Sequence, residues 1–441
     1  MKKSLVAALV VVVVILLIMP NFVGGGIQSA TVQTLLTMIP DEASQVLDIR
    51  QTEFQRGWFN SYAKIEITLD ELEQLTGESA ALILDMDIRH GPLLFTPAGV
   101  RLGLAYADID PSISGIRAED IEAAGEIEAD TPQASMFAGF DNTVELGFNL
   151  DNLQARNPEA RLEVEGLRGS SQILADLSNN ASLDLNFLSF IIENGSFNLS
   201  IQNMRFSGSE SDITRPISPG QSSFTIKRIS STAPLPLAIN TVTADYQLSQ
   251  DPAASDYLNL SQQFQIDELD WDLPVNSLQW QFELSHLSRE LVDNYLQLIQ
   301  QSQQTAGANP GQISAQMTTL GQDLLLGLIS ERFAFNNTFE INAFDGDHSL
   351  QLNIDWPGLS GLADFQSLDP QQLLQTVQIR LTLDADQAAL MNSPFAQTVI
   401  DYERPGFLII DNGRVLSTIQ LADGILDING ELTPLEQFIN L

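Results

Sequence analysis

Lys64-Ile65-Glu66-Ile67-Thr68-Leu69-Asp70 is a stretch in which every second side chain is aliphatic. Successive side chains of a β-strand point to opposite faces, so this alternation predicts a strand that is buried on one face and wet on the other. The same alternation recurs in residues 47–50, 82–88, 100–106, 143–150, 161–167, 181–187, 197–201, 223–229, 240–248, 258–269, 278–284, 333–344, 349–355, 377–383, 415–421 and 425–428, and the short apolar runs at 188–192 and 407–410 are also predicted to be strands. This series predicts a body that is mainly an extended antiparallel sheet or sandwich.

Short turn sequences separate several of these segments and predict which strands are hairpin partners. Asn194-Gly195, Asp345-Gly346, Asn412-Gly413 and Asp423-Gly424 each lie between two alternating runs. Asn-Gly and Asp-Gly tolerate the positive φ values of a tight two-residue turn. The strands on either side of each pair are therefore expected to be antiparallel neighbours.

The chain changes to a helical period in three places. Leu287, Leu291, Tyr295, Leu298 and Ile299 share one helical face, and a second apolar stripe follows the turn at residues 305–311. We expect a helical hairpin over about residues 286–329 that covers one face of the sheet; a movable lid or a helix pair touching the membrane is the alternative. Residues 384–402 predict a helix broken at Pro394, and Pro434 is expected to begin a short final helix.

The N-terminus combines Lys2 and Lys3 with an apolar run from Leu5 to Met19, followed by Pro20. Lysines before such a run keep the N-terminus cytoplasmic, and about 20 apolar residues span a bilayer. Residues 1–26 are therefore predicted to be a transmembrane anchor, with a removable signal peptide as the alternative. Residues 27–39 suit a short amphipathic helix, and residues 27–441 are predicted to form a periplasmic β-rich domain with two lobes dividing near residues 207–220.

Composition limits the classes of function. The 441 residues carry 57 acidic and 20 basic side chains, a net charge of −37, and no cysteine. So acidic a surface repels nucleic acid, which we exclude as a partner. Disulfides, thiolate metal sites and a cysteine nucleophile are excluded as well. We interpret the acidic surface as one that keeps the protein soluble, with binding of cations or basic partners as the alternative.

The chain resembles the YdgA-like family of bacterial inner-membrane-anchored envelope proteins of unknown function. The likeness is carried at both ends of the chain by four features besides the Lys-led anchor: Phe54–Ser61 (FQRGWFNS), His90-Gly91-Pro92, Gly424–Gly430 (GILDING) and Pro434-Leu435. It implies a single-pass protein of the inner membrane whose C-terminal domain, rich in antiparallel strands, lies in the periplasm. It implies no catalytic residue.

Four residues are candidates for an interaction site: Arg56, Trp58, Phe59 and His90. Arginine beside two aromatic rings can clamp an anion or stack on a ring. The competing interpretation makes Trp58 and Phe59 core residues and pairs Arg56 with a nearby acid. His90 precedes Gly-Pro and is expected to end a strand, with a structural role favoured over a functional one.

No local motif indicates a reaction, a metal or a cofactor. The three histidines, His90, His286 and His348, are too far apart in sequence to form a local zinc-binding motif. The sequence also contains no nucleophile-elbow motif and no phosphate-binding loop motif. The pairs Asp108/Asp110, Asp345/Asp347 and Asp384/Asp386 lack a full calcium-loop spacing, so we interpret them as turn residues. We therefore expect a protein that is not an enzyme.

Together these patterns predict a mainly β protein with some helix: a transmembrane helix followed by an elongated, curved antiparallel sheet on which the helical hairpin packs. The favoured function is non-enzymatic, either holding a lipid or other hydrophobic ligand on the concave apolar face or scaffolding an envelope assembly with a protein partner. A purely structural protein with a filled core is the alternative, and a hydrolase built from separated carboxylates ranks last.

Overall fold

The structure, a computed structural model, describes residues 47–56, 60–69, 81–114, 125–192, 195–212, 217–234, 236–252, 254–270, 274–293, 326–327, 329–359, 370–403 and 406–434. The chain divides into two compact units. The N-terminal unit comprises the described residues of Met1–Ser218 and Phe224–Leu235. The C-terminal unit comprises those of Pro219–Ser223 and Pro236–Leu441.

The N-terminal unit is a ladder of antiparallel strands in the order β1-β2-β3-β6-β8-β9-β10-β11-β12. The strands are β1 (Leu47–Arg56), β2 (Asn60–Leu69), β3 (Ala81–His90), β4 (Leu93–Thr96), β5 (Gly99–Leu102), β6 (Ala105–Ser114), β7 (Glu126–Ala129), β8 (Gln133–Ala138), β9 (Val144–Arg156), β10 (Ala160–Ile173), β11 (Asn179–Ile192) and β12 (Phe197–Glu210). Strand β7 pairs with the second half of β9, and β4 and β5 form a separate two-stranded sheet. Strand β13 (Gly220–Ser231) contributes residues to both units.

The alternating stretch at residues 64–70 forms the centre of the first core. Ala63, Ile65 and Ile67 of β2 are each 3 % exposed, and they pack with Leu82, Leu84 and Met86 of β3 and Ala107 and Ile109 of β6. Each isoleucine, leucine or methionine side chain removed from water in this way contributes about 1.5–3 kcal/mol of hydrophobic free energy. Lys64 points to the other face, where it lies 3.5 Å from Asp85. The period-two pattern is thus confirmed as a half-buried strand.

The C-terminal unit is a second antiparallel ladder, in the order β14-β15-β16-β17-β18-β19-β21. Its strands are β14 (Leu237–Gln250), β15 (Tyr257–Asp270), β16 (Val275–Ser288), β17 (Phe333–Ala343), β18 (Gly346–Trp356), β19 (Gln378–Asp386), β20 (Ile409–Asp411), β21 (Arg414–Ala422), β22 (Ile425–Ile428) and β23 (Glu431–Pro434). Strands β20 and β22 pair with β21, and β23 pairs with β22. The helices are α1 (Pro370–Thr376), α2 (Gln387–Met391) and α3 (Ala396–Glu403).

The predicted hairpin turns are confirmed wherever the structure describes them. Asp345 has φ of 64°, Asn412 has φ of 48° and Asp423 has φ of 52°, and each lies between strands that pair with one another. Gly195 has φ of 74° between β11 and β12, although Asn194 lies outside the described residues. Local turn chemistry therefore identified these strand partners correctly.

The helical predictions are confirmed in part. The break at Pro394 is confirmed, since α2 ends before it and α3 begins after it, but the helix starts at Gln387 because Asp384 belongs to β19. His286 to Ser288 belong to β16, and the described helical residues begin at Arg289, three residues later than predicted. Most of the remainder of the predicted hairpin lies outside the described residues. Pro434 ends β23 instead of starting a helix, because Pro434 pairs with Ile425.

The predicted anchor (residues 1–26) and the amphipathic segment (residues 27–39) lie outside the described residues. Within the ranges given above, no helix combines the length and apolar character that crossing a membrane requires.

Candidate functional site

The strand registers place two of the four predicted site residues at one end of the first ladder. Arg56 ends β1 opposite Ser61 of β2, and His90 ends β3. The Oγ atom of Ser61 lies 3.0 Å from Nε2 of His90, and Ser61 is buried. His90 thus ends a strand, as predicted, and holds a polar contact there. Trp58 and Phe59 lie outside the described residues, so the interaction site and the core packing proposed for Arg56, Trp58 and Phe59 both stay predictions.

The glycine after His90 allows two backbone segments to approach closely. The N–H of Gly91 donates to the carbonyl of Leu104 at 2.8 Å, and the N–H of Gly103 donates to the carbonyl of Pro92 at 3.2 Å. A Cβ atom on Gly91 would come within 1.7 Å of the Gly103 oxygen. Only glycine fits this crossing, so the His90-Gly91-Pro92 sequence starts a tightly held excursion out of the ladder.

That excursion is the β4–β5 hairpin, whose inner face is firmly fixed to the unit. Leu94 is 1 % exposed and packs with Tyr106 and Phe137. The guanidinium of Arg101 donates two hydrogen bonds to the carboxylate of Glu145, at 2.5 and 2.7 Å, and its Cζ lies 3.6 Å from the centroid of the Phe137 ring. The bonds to Glu145 raise the pKa of Arg101. A forked arginine–carboxylate pair and a cation–π contact orient this face.

The outer face of the β4–β5 hairpin consists of Leu93, Phe95, Val100 and Leu102, which form two cross-strand pairs. Their exposed fractions are 52 %, 63 %, 59 % and 68 %. Large aliphatic and aromatic side chains are seldom left in water as a contiguous set without a partner. This face is therefore a candidate interaction surface.

Sequence reasoning missed this hairpin because residues 100–106 read as one strand. The structure ends β5 at Leu102, bends the chain at Gly103 and starts β6 at Ala105. A usable signal was present: the apolar residues 93–95 run without alternation, and a glycine lies on each side of residues 100–102. Three consecutive apolar residues place apolar side chains on both faces of a strand, and a two-stranded sheet cannot bury both of its faces.

Two tyrosines near this end of the ladder hold their protons strongly. Burial, together with a 2.7 Å hydrogen bond to Asp108, raises the pKa of Tyr106 to about 12. Asp108 also accepts a 2.8 Å bond from Arg89. A hydrogen bond from Tyr62 to Asp85 raises the pKa of that phenol to about 12 as well. Both phenols are held as neutral donors, so their role is to orient carboxylates.

A second, larger candidate surface is the apolar face of the C-terminal unit. It is defined by four cross-strand rows of seven residues each, read from β14 to β21. The rows are Val242, Ile266, Leu278, Ile341, His348, Ala385 and Val415; Ala244, Phe264, Trp280, Phe339, Leu350, Leu383 and Ser417; Tyr246, Gln262, Phe282, Asn337, Leu352, Leu381 and Ile419; Leu248, Leu260, Leu284, Phe335, Ile354, Ile379 and Leu421. None of these positions carries Asp, Glu, Lys or Arg.

This apolar face is only partly removed from water. Most of the central positions are half-buried, and Tyr246, Trp280 and Leu350 are 37 %, 37 % and 38 % exposed. The rings of Phe282 and Phe335 meet edge to face at 5.3 Å. The opposite face is polar, as its central row shows: Asp245, Gln263, Gln281, Thr338, Gln351, Thr382 and Thr418. One face of this sheet is wet and the other offers a broad apolar surface.

The C-terminal unit also contains an open cavity of about 330 Å³ with mixed lining. Asp267, Glu340 and Asp347 line it together with Arg414, whose Nε atom donates to Asp384 at 2.7 Å. Its walls are mainly polar, so it differs in chemistry from the apolar face.

The aspartate pairs singled out in the sequence have separate local roles. The turn interpretation holds for Asp345 but is wrong for Asp108 and Asp110, which lie within β6. It is also wrong for Asp347, which lies within β18, and for Asp384, which lies within β19. Asp386 caps α2 by accepting a 2.9 Å bond from the N–H of Ala389. In the part of the chain that the structure describes, no group of three or more His, Asp or Glu residues is arranged to hold a metal ion.

No curated protein and no solved structure is found to be similar to this chain. A family model described as "Bacterial protein of unknown function (DUF945)" matches residues 1–436. The likeness to a bacterial family of unknown function at both ends of the chain is thus confirmed in that general form. Spanning nearly the full length, the match shows that the chain belongs to the bacterial family of unknown function DUF945.

Proposed function

We propose that this protein is a non-enzymatic protein of the bacterial periplasm, anchored in the inner membrane, that binds an acyl chain or similar hydrophobic ligand on the apolar face of its C-terminal unit. The observation that carries the proposal is the incomplete burial of that face, with Trp280 and Leu350 more than a third exposed at its centre. An open sheet face of this composition is stabilised when something apolar covers it.

The size of the face suits a lipid chain. Seven strands spaced about 4.8 Å apart extend about 29 Å across the sheet, and four rows at about 6.8 Å intervals extend about 20 Å along it. One leaflet of a bilayer contributes about 15 Å of the hydrocarbon core, which is the length of one acyl chain. The face can therefore accommodate an acyl chain over its whole length.

The N-terminal unit differs in this respect and supports the second candidate, a structural or scaffolding protein. The eight apolar residues that cluster on β2, β3 and β6 are 0–8 % exposed, so that cluster is already covered. If the C-terminal face were filled in the same way in the cell, by a protein partner, the protein would act as an assembly component instead.

Anchoring and location rest on the sequence. Lys2 and Lys3 ahead of the apolar run support an inner-membrane anchor with the body on the periplasmic side. The proposal that the protein is not an enzyme is supported by the engagement of its candidate carboxylates: Asp108 accepts from Arg89 and Tyr106, and Asp384 accepts from Arg414. A hydrolase of separated carboxylates ranks below both binding proposals.

Native mass spectrometry of the full chain, extracted in detergent, tests the ligand directly. We expect lipid adducts that are lost in the double variant Trp280→Gln/Leu350→Gln. Removing about 3 kcal/mol of apolar burial weakens binding more than tenfold. The control is Gln281→Ala/Gln351→Ala, which alters the sequence neighbours on the polar face.

Lipids that merely surround the anchor are retained by both variants, so the comparison separates them from a ligand on the sheet. Adducts equally abundant in all three proteins, or absent from all three, would overturn the ligand proposal. A protein that copurifies with the wild type and is lost from Trp280→Gln/Leu350→Gln would favour the scaffolding alternative.

A further inference from the structure

We propose that the outer face of the β4–β5 hairpin rests in the interfacial layer of the bilayer to which the chain is anchored. This inference rests on the proposed anchoring but not on ligand binding by the C-terminal unit. It assigns a second membrane contact to the N-terminal unit, through Leu93, Phe95, Val100 and Leu102.

The hairpin is built as a preorganised apolar projection. Every side chain of its outer face is aliphatic or aromatic and more than half exposed, while its one cationic side chain, Arg101, points inward to Glu145. Leu94, 1 % exposed, secures the opposite face. Because these contacts already order the two strands, the hairpin backbone loses little conformational freedom when the outer side chains enter an apolar layer.

Charge around the hairpin favours a membrane surface. Residues 89–107 contain no Asp or Glu, in a chain that carries 57 of them. The two arginines of this stretch are neutralised, Arg89 by Asp108 at 2.8 Å and Arg101 by Glu145 at 2.5 Å. Most of the acidic surface is repelled by anionic headgroups, whereas the outer face of this hairpin carries no charged side chain of its own that would have to be desolvated.

The chain length permits this contact. Leu47, where β1 begins, lies at the opposite end of the first ladder from Arg56 and His90, about 31 Å away along a ten-residue strand. With residues 27–39 as the predicted helix and residues 40–46 extended, the 20 residues between the proposed anchor and Leu47 can span about 44 Å. The hairpin end can therefore reach back to the bilayer surface.

A protein partner or a second copy fits the patch less well. The two strands contribute eight residues in total, four each, whereas a specific protein interface takes about 20–30 residues from each side. A bilayer interface has no such size requirement, because a few apolar side chains insert about 5–10 Å into it.

The absence of cysteine makes a site-specific test direct. Val100→Cys, labelled with an environment-sensitive fluorophore, is reconstituted as the full chain in vesicles of phosphatidylethanolamine and phosphatidylglycerol. Glu128→Cys on exposed strand β7 is the matched control. We expect a blue shift of the Val100→Cys label and quenching by lipids spin-labelled near the headgroup end of the acyl chain, with neither effect for Glu128→Cys.

A further variant links the effect to the patch. Phe95→Ser/Leu102→Ser, introduced beside the Val100→Cys label, is expected to abolish quenching while the label remains attached. Quenching of Val100→Cys that equals that of the control overturns the inference. A blue shift that depends on protein concentration and is insensitive to quencher lipids also overturns it, in favour of self-association.

Sedimentation of the same vesicles separates this inference from the proposed function. If the chain sediments with the vesicles but the label is not quenched, anchoring stands and the hairpin contact fails. If the chain is washed off the vesicles, the proposed anchoring fails, and the hairpin contact that rests on it fails with it.

Discussion

The adjacent residues Leu93 and Leu94 provide the sharpest test of how the β4–β5 hairpin is held. Leu94 is 1 % exposed against Tyr106 and Phe137, whereas Leu93 is 52 % exposed on the outer face. Truncation of a fully buried leucine to alanine costs about 2–5 kcal/mol, and we take about 3 kcal/mol for Leu94→Ala. Leu93→Ala changes the free energy of unfolding by less than about 0.5 kcal/mol.

Hydrogen exchange followed by mass spectrometry, on peptides covering residues 91–104, measures this difference where it arises. A loss of about 3 kcal/mol lowers amide protection about 100-fold in Leu94→Ala, and a loss of 0.5 kcal/mol lowers it about twofold in Leu93→Ala. Urea unfolding monitored by circular dichroism shows whether the cost stays local. Equal protection of residues 91–104 in the two variants would refute the assignment of Leu94 as the anchor of the hairpin.

Three further predictions concern the same unit. Gly91→Ala is expected to destabilise the unit by about 2 kcal/mol or more, since the added methyl group breaks two backbone hydrogen bonds. Gly169→Ala is the control and is expected to be neutral or slightly stabilising, because the nearest atom to its added Cβ would lie at 3.6 Å. Equal urea midpoints for the two variants would contradict the close crossing at Gly91. The folded-state pKa of Tyr106 is raised to about 12, from about 10 in the unfolded chain, so its contribution to stability is complete below pH 10 and is lost between about pH 10 and 12. The free energy of urea unfolding of Tyr106→Phe should therefore vary less with pH in that range than that of the wild type. The same pH dependence in both proteins would argue against this contribution of Tyr106. A hydrogen bond from the backbone N–H of Thr143 lowers the pKa of Asp141. The stabilising contribution of the Asp141 carboxylate is therefore present above about pH 4 and is lost as the pH falls through the lower folded-state pKa. Below about pH 4 the free energy of urea unfolding of Asp141→Asn should fall less steeply with pH than that of the wild type, and an equal fall in both proteins would reject this contribution.

The candidate sites show where sequence reasoning stops. His90 was identified as a strand end from its place before Gly-Pro, but its contact with Ser61, 29 residues earlier, depends on the pairing of β2 with β3. The hairpin next to it went unnoticed, because Gly91 and Gly103 meet only through a crossing of two backbone segments. No local pattern records such a crossing.

The sequence alone determined that the body is antiparallel β, where several hairpins turn, and where a helix is broken by Pro394. It could do so because a pleated strand repeats every two residues, and tight turns select Asn-Gly and Asp-Gly; both are properties of neighbouring residues. Only the tertiary structure decided that Ile65 is buried while Leu102 and Trp280 meet solvent, although all three occupy apolar positions in strands. Exposure depends on what packs against a face from distant parts of the chain, and alternation along one strand contains no information about that.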